Sequence, residues 1–155
     1  MTKRVEIYDA LKNDLLKISA ANGFAHDIKH VFPLMKTIDE VNEFPAVAAF
    51  MGEENVKSEL EDRNLFESAL DIILLTHIET MQDTGSEGAF TNEAESWVED
   101  YRKLIASDDP ALGCSLYNIE GVRNYYISRV EPYYDRRDNK QTLLMIITVQ
   151  YIFSI

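Results

Sequence analysis

Two long segments in which apolar side chains recur at every second position constrain the fold of this chain more than any other feature. In the first, Leu65 to Glu79, one set of alternate positions is apolar or hydroxyl-bearing throughout, and the other set turns apolar at Ile73 and Leu75. The second, Gln141 to Phe153, has apolar side chains at every odd-numbered position from 143 onward. A period of two is typical of a strand whose side chains alternate between the two faces of a sheet. The sequence therefore predicts two long strands, the first of them covered on both faces over its second half.

A spacing of three and four residues between apolar side chains predicts two helices. The first covers Val5 to Ala21 and ends at Asn22-Gly23, where glycine can adopt the left-handed conformation of a C-cap. The second covers Asn92 to Ile105, and Asn92 has a glutamate three residues further on, the spacing of a capping box.

Three shorter apolar runs are predicted as the remaining strands, at Asp27 to Phe32, Ala46 to Met51 and Ile119 to Val130. A chain of 155 residues has the length of one domain with one core. The prediction is therefore a single small α+β domain over residues 1–155. It contains an antiparallel or mixed sheet of about five strands, with two main helices packed on one face.

Polar segments between these elements are predicted to project from the sheet. The acidic segment Glu53 to Asp62 is interpreted as part of an exposed excursion between strands, and Gln82 to Phe90, with its two glycines, as a loop. Tyr133 to Asp138 is interpreted as a turn between the last two strands, and a short helical turn is expected around Cys114. Loops of this kind are natural carriers of binding surfaces.

The charge of the chain restricts its partners. With 27 acidic and 15 basic residues the net charge is −12, which argues against binding to nucleic acid, because phosphate binding depends on lysine and arginine. Such a chain can still line a conduit through which DNA passes. The single cysteine excludes an intrachain disulfide, and no apolar run is long enough for a signal peptide or a membrane span. We therefore expect a soluble protein that is synthesised in the cytoplasm.

The search for chemistry in the sequence predicts no catalytic residue, no metal site and no cofactor. His26 and His30 stand four apart, but in the predicted strand such positions are about 13 Å apart. His77 has no second histidine near it in sequence, and the three histidines are interpreted as surface or partly satisfied residues. Cys114 is interpreted as a small buried apolar residue, and the acidic segment as solvated negative surface. The chain has no glycine-rich phosphate loop.

The order of the elements along the chain is distinctive. An amphipathic helix is followed by the run FPAVA from Phe44 into a strand, then by an acidic segment and the long alternating strand. A tryptophan-bearing helix comes next, and the sequence YYDRRD from Tyr133 precedes a last strand that contains VQY from Val149. This order resembles the tail-terminator family of long-tailed phages, the lambda U-type minor tail proteins and their relatives, over nearly the whole chain. The chain departs from the lambda type in a longer N-terminal region and a longer segment at Met81 to Phe90.

The resemblance implies a structural protein of the virion tail and not an enzyme. Proteins of this family form a homo-oligomeric ring, a hexamer, which caps the tail tube, stops its polymerisation and offers the surface that meets the head connector. By this resemblance the partners of the chain are further copies of itself, a tail tube protein, and a head connector or neck protein. DNA is expected to pass through the lumen without specific binding, and no membrane partner is expected.

Candidate interface residues come from the two polar segments that the sequence predicts to project. They are Tyr133, Tyr134, Arg136, Arg137, Glu53 and Glu54. Tyrosine and arginine are enriched where interfaces are strongest, although the tyrosines can equally cover a sheet edge with their hydroxyl groups in water. Two alternatives stay open for the function: another head–tail joining, neck or tail-completion component, and a small ligand-binding domain or enzyme that uses the acidic segment.

Overall fold

The structure, a computed structural model, describes residues 2–59, 65–79, 87–137 and 139–154. Within these ranges it contains two α-helices and five strands. In chain order they are α1 (Lys3–Leu15), β1 (Val31–Phe32), β2 (Ala46–Glu59), β3 (Leu65–Glu79), α2 (Glu87–Ala106), β4 (Val122–Arg137) and β5 (Lys140–Ser154). Short 3₁₀ turns occur at Ala20–Asn22, Ile38–Glu40 and Leu116–Asn118. The predicted α+β class and the predicted number of strands are confirmed.

The five strands form one mixed sheet in the order β1-β2-β3-β5-β4. β1 pairs with β2 in parallel, and all other neighbours are antiparallel. β3 and β5 pair without a register break, from Leu65 opposite Ser154 to Glu79 opposite Lys140. These are the two segments with the most regular alternation. They occupy the middle of the sheet because apolar residues on both faces are best buried there.

Both helices pack on one face of the sheet, as predicted, and the main core lies between them and that face. Trp97 and Tyr101 of α2 are fully buried in this core. The hydroxyl group of Tyr101 shares a 2.6 Å hydrogen bond with that of Thr76 on β3. In α1, Tyr8 donates its hydroxyl hydrogen to the backbone oxygen of Ala49 on β2, also at 2.6 Å. These bonds satisfy the hydroxyl groups of the two tyrosines and fix each helix to a particular strand.

The first helix is shorter than predicted. α1 ends at Leu15, although Ile18 keeps the helical spacing and is fully buried. The backbone oxygen of Ile18 accepts the N–H of Ile28 at 2.8 Å, so the chain has already turned at this point. Gly23 is left-handed, with φ of 88°, but it caps the 3₁₀ turn and not α1. A spacing pattern does not distinguish a helix from a turn that returns a side chain to the same core.

The second helix is longer than predicted. α2 begins at Glu87, so Asn92 lies inside the helix and does not cap it. The predicted loop Gln82 to Phe90 is therefore wrong over residues 87–90, while residues 82–86 lie outside the described part of the chain. The capping-box spacing at Asn92 is a local pattern that can also occur inside a helix, so it does not fix the residue at which α2 begins.

Two strands extend through segments that the sequence predicts to project. β2 continues to Glu59, with Glu54 opposite Leu70 and Glu59 opposite Phe66 of β3, so the predicted excursion is wrong for residues 53–59. Residues 60–62 lie outside the described part of the chain. β4 continues to Arg137, which pairs with Lys140 of β5. The predicted turn is thus wrong for residues 133–137, and residue 138 is outside the description. Polar strands of this kind are stable at a sheet edge, because their outer side stays in water.

The face of the sheet opposite the helices carries a second, smaller apolar cluster, which we call the outer cluster. Neither α1 nor α2 contributes a residue to it. Its buried members are Ala48, Leu75 and Leu144, and its partly exposed members are Phe32, Phe50, Ile73 and Ile146. The prediction that the second half of β3 is covered on both faces is therefore confirmed for Leu75 and holds only in part for Ile73.

Candidate functional site

Three of the candidate interface residues lie at the C-terminal end of β4. Tyr134 has half of its surface exposed, and Arg136 and Arg137 are also exposed. The Arg137 guanidinium donates to the carboxylate of Asp39 at 2.5 Å and lies 3.8 Å from that of Asp135. Arg137 thus holds the 3₁₀ turn at Ile38–Glu40 against the end of β4. The side chain of the fourth candidate, Tyr133, lies outside the described part of the structure.

The two candidate glutamates differ from each other in environment. Glu53 is exposed at a break in the β2–β3 register. Glu54 turns towards the helical face, where its carboxylate accepts the hydroxyl hydrogen of Tyr151 and lies 3.7 Å from the Arg4 guanidinium. Burial and the neighbouring carboxylate raise the pKa of Tyr151, so its hydroxyl group stays protonated and remains a donor. Glu54 is therefore engaged in contacts within the chain, whereas the side chain of Glu53 is exposed to solvent.

The structure does not bring the two sets of candidates together. β2, which carries Glu53 and Glu54, and β4, which carries the tyrosines and arginines, lie on opposite sides of the central pair β3 and β5. At a strand spacing of about 4.8 Å, the two strands are about 14 Å apart. These residues therefore form two separate surfaces, one towards each edge of the sheet.

His26 belongs to a side-chain cluster that the sequence analysis missed. Its Nδ1 lies 2.8 Å from a carboxylate oxygen of Asp100, and its Nε2 lies 3.1 Å from one of Glu93. Both carboxylates belong to α2, more than sixty residues away in the sequence. No local sequence pattern therefore predicts the contact. His30 lies instead edge-on to Phe32, with ring centroids 4.7 Å apart. The two histidines do not form a pair.

His77, predicted as a surface or partly satisfied residue, is 1% exposed and fully hydrogen-bonded. Its Nε2 lies 2.7 Å from the backbone oxygen of Lys36, which can only accept, so Nε2 carries the hydrogen. Nδ1 then accepts from the hydroxyl group of Thr142 at 2.8 Å. Burial lowers the pKa of His77, which keeps the ring neutral and fits this arrangement.

The prediction that Cys114 is a small buried residue is confirmed. Its side chain is in the main core with 1% exposed, and burial raises the pKa of the thiol to about 12. A thiol with such a pKa forms almost no thiolate at neutral pH. Beside it, Asp14 is 2% exposed and accepts hydrogen bonds from both the backbone N–H and the hydroxyl group of Ser115.

Two of the surface cavities among the described residues are lined by charged side chains of both signs. One, of about 850 Å³, is lined by two lysines and three carboxylates, Lys29, Lys36, Asp27, Glu40 and Glu43, so it favours neither cations nor anions. The other, of about 680 Å³, lies beside the N-terminus of α1 and contains the Arg4, Glu54 and Tyr151 contacts described above. Among the described residues, no group of three or more His, Cys, Asp or Glu side chains is placed to hold a metal ion. In the part of the chain that is described, neither helix is long and apolar enough to cross a bilayer.

The fold and these surfaces define a class of domain: a small α+β domain with one helical layer, one partly uncovered sheet face and polar strands on both sides. No protein-family model matches the sequence, and no curated protein matches it either. The fold is similar to that of a chain in a solved structure described as the virion of a native gene transfer agent particle. The TM-score is 0.51 at 10% sequence identity, and the match covers 95% of this chain and 92% of that chain. At this identity the likeness is one of fold.

Proposed function

We propose that this protein is a structural component of a phage-like virion and that it forms a homo-oligomeric ring, a hexamer by family resemblance, at the end of the tail tube. The observation that carries the proposal is the likeness of fold, over nearly the full length of both chains, to a chain of a gene transfer agent virion. The resemblance of the element order to tail terminators supplies the finer role. In that role the ring stops tube polymerisation and provides the surface that joins the tail to the head connector or neck protein.

The outer cluster supports a protein that works inside an assembly. Phe32, Phe50, Ile73 and Ile146 are partly exposed on a sheet face to which neither helix contributes. A contiguous apolar surface of this kind typically marks a contact with another protein. An enzyme would instead be expected to concentrate reactive groups in a cavity.

The proposal includes no catalytic step. The Cys114 thiol is buried, and its pKa of about 12 leaves it protonated. His77 uses both ring nitrogens in hydrogen bonds that hold the fold together. In this proposal these buried groups stabilise the fold, and the function depends on the surfaces of the protein.

The acidity of the chain suits the wall of a DNA channel. A net charge of −12 repels the phosphate backbone, so DNA can move past the subunit without being held. A ring with strongly basic inner surfaces would retain DNA instead.

The experiment that tests the proposal measures the mass of the purified protein alone and after it is mixed with tail tubes, by light scattering and negative-stain imaging. The proposal expects rings of identical subunits, free or seated on tube ends, and tubes that no longer elongate. A protein that ignores tubes but binds purified head connectors would replace the tail-end role with that of a neck component. Binding to neither would overturn the virion role.

A further inference from the structure

The sheet has two open edges within the described part of the chain. β4 forms one edge along its whole length. At the other edge, β1 covers β2 only at Val47 and Ala48, and no described strand pairs with the outer side of β2 from Ala49 to Glu59. Open edges present backbone N–H and C=O groups that can pair with another chain. Proteins usually block such edges, so two long open ones need a partner or a barrier.

The two edges carry opposite charge. β4 holds four of the seven arginines of this acidic chain, Arg123, Arg129, Arg136 and Arg137, against two acidic residues, Glu131 and Asp135. Among the described side chains of the open part of β2, the charged residues are Glu53, which is exposed, and Glu54, which contacts Arg4 and Tyr151 of the same chain. Arg123 and Glu53 are both exposed. Arg129 and Arg137 are paired with Glu131, Asp39 and Asp135 of the same chain, so the attraction between the two unlike edges comes from the exposed Arg123 of β4 and the exposed Glu53 of β2.

We infer that β4 of one subunit lies against the open part of β2 of a second copy of this chain. This inference rests on the proposed function, because it specifies how the subunits of the ring meet. Contact between two different edges is head-to-tail, and head-to-tail contacts are the kind that close into rings. The charges disfavour the two symmetric pairings, β2 with β2 and β4 with β4, which would give closed dimers.

The strand directions suit this contact. Each step from β2 to β3, β5 and β4 is antiparallel, so β2 and β4 run in opposite directions within a subunit. A neighbour generated by rotation about an axis along the strands keeps those directions. Its β2 therefore runs antiparallel to β4 of the first subunit, which is the slightly more stable form of pairing.

Irregularities in both edges limit how the strands can pair. The β4–β5 register shifts at three places, and Pro132 of β4 has no N–H to donate. The register of β2 shifts at two places. Bulges and proline prevent a long continuous ladder, so the contact consists of short paired stretches joined by charged pairs. Ring assembly should therefore weaken as salt is raised.

Cysteine cross-linking tests the contact without assuming a register. Val56→Cys places a thiol on the β2 edge and Asn124→Cys places one on β4, both at exposed positions. The native Cys114 is buried and its thiol is protonated, so it does not react with a maleimide. Rings assembled from a mixture of the two variants should yield cross-linked dimers with a flexible bis-maleimide. Rings of either variant alone should yield monomers.

Charge reversal provides an independent test with matched controls. Glu53→Lys and Arg123→Glu should each lower ring formation at least about tenfold, because like charges then face each other across the contact. Glu99→Lys and Arg102→Glu make the same changes on the exposed side of α2 and should leave ring formation unchanged. Thermal unfolding establishes that all four variants fold.

The outcomes separate the two proposals. Dimers from one cysteine variant alone, or rings that form while the mixture gives no cross-link, would overturn the edge contact and leave the tail-end role intact. Equal effects of the edge and α2 reversals would also overturn it. If the unmodified protein forms no ring, free or on tubes, both the proposed function and the edge contact are wrong.

Discussion

The imidazole ring of His26 lies flat against the indole ring of Trp97, with ring centroids 4.1 Å apart and planes inclined by 11°. Asp100, one helical turn from Trp97, accepts the N–H groups of Ala25 and His26 at 3.0 Å each. This contact joins the segment that follows α1 to the middle of α2. Polar groups as well as apolar packing therefore hold that segment against α2.

We predict that His26→Phe destabilises the protein by about 1–3 kcal/mol, although the stacked ring is retained. The substitution removes the hydrogen bond to Asp100, a carboxylate that is 4% exposed, and leaves that group short of a partner. Denaturant unfolding followed by the fluorescence of Trp97 measures the change. The control is His30→Phe, the same substitution at an exposed position, which should change stability by less than about 0.5 kcal/mol. Equal effects would contradict the role of the polar contact.

The buried ring of His77 predicts a stability that depends on pH. Because burial lowers the pKa of His77, the unfolded chain takes up a proton near pH 6.5 that the folded protein does not bind. The free energy of unfolding should therefore fall as the pH is lowered from 7.5 to 5. In His77→Gln this contribution is absent, so the stabilities of the two proteins should converge at low pH. A His77→Gln stability curve that runs parallel to that of the original protein over this pH range would refute the assignment.

Two identical substitutions distinguish the core from the surface. Leu74 of β3 is fully buried in the main core, whereas Leu34 is 71% exposed. Leu74→Ala should cost about 2–5 kcal/mol, since it removes apolar contacts and leaves a cavity. Leu34→Ala should change stability by less than about 0.5 kcal/mol. Thermal or denaturant unfolding compares them directly, and a small loss for Leu74→Ala would show that the packing described here is wrong.

Two glycines have left-handed backbone conformations, and they differ in the space around them. Comparing the stabilities of their alanine variants distinguishes backbone strain from steric conflict. Gly121 has φ of 94°, and a Cβ there would lie 2.5 Å from the backbone oxygen of Ile152. Gly23 has φ of 88°, but its Cβ would meet only the flexible end of Lys103 at 3.4 Å. Gly23→Ala should cost about 1–2 kcal/mol from the backbone conformation alone.

Gly121→Ala should cost more than Gly23→Ala, because the start of β4 must also move away from β5. The two variants are compared by their urea midpoints. The N–H of Ile152 donates to the Gly121 oxygen at 2.9 Å, so hydrogen exchange at Ile152 gives a second, local readout. Equal costs for the two variants would mean that the close approach of Gly121 to β5 is absent.

The central part of the fold was predictable from the sequence, because its pattern has only one physical interpretation. β3 was predicted with its observed bounds, and β5 within a residue at each end, since strict alternation over a long segment fits a strand alone. The ends of the helices were not predictable in this way. The end of α1 was placed too late, because Ile18 is buried in the core but belongs to a turn. The extension of β2 was also missed, since Glu53 and Glu54 belong to a strand only through their pairing with β3.

The candidate site was predictable only in part. The types of residue at Tyr134, Arg136 and Arg137 indicate a contact surface, but their separation from Glu53 follows from the strand order, which no local pattern encodes. The contacts of His26 and His77 likewise join segments that are distant in sequence. A charged segment can form either a loop or an open edge strand, and the strand order of the sheet decides between the two.

The position of β5 in the sheet has a consequence for biosynthesis. β3 has β2 on one side, but its other neighbour is a strand that the ribosome produces about seventy residues later. Until β5 has been synthesised, the backbone N–H and C=O groups of β3 on that side have no strand to pair with. The same holds for the arginine-rich β4, whose neighbour in the sheet is β5. The sheet can therefore be completed only after β5 has been translated, and its strands cannot all be added in the order of their synthesis. A chain truncated before Lys140 would lack the middle of its sheet, so we expect it to expose the edges of β3 and β4 and not to fold.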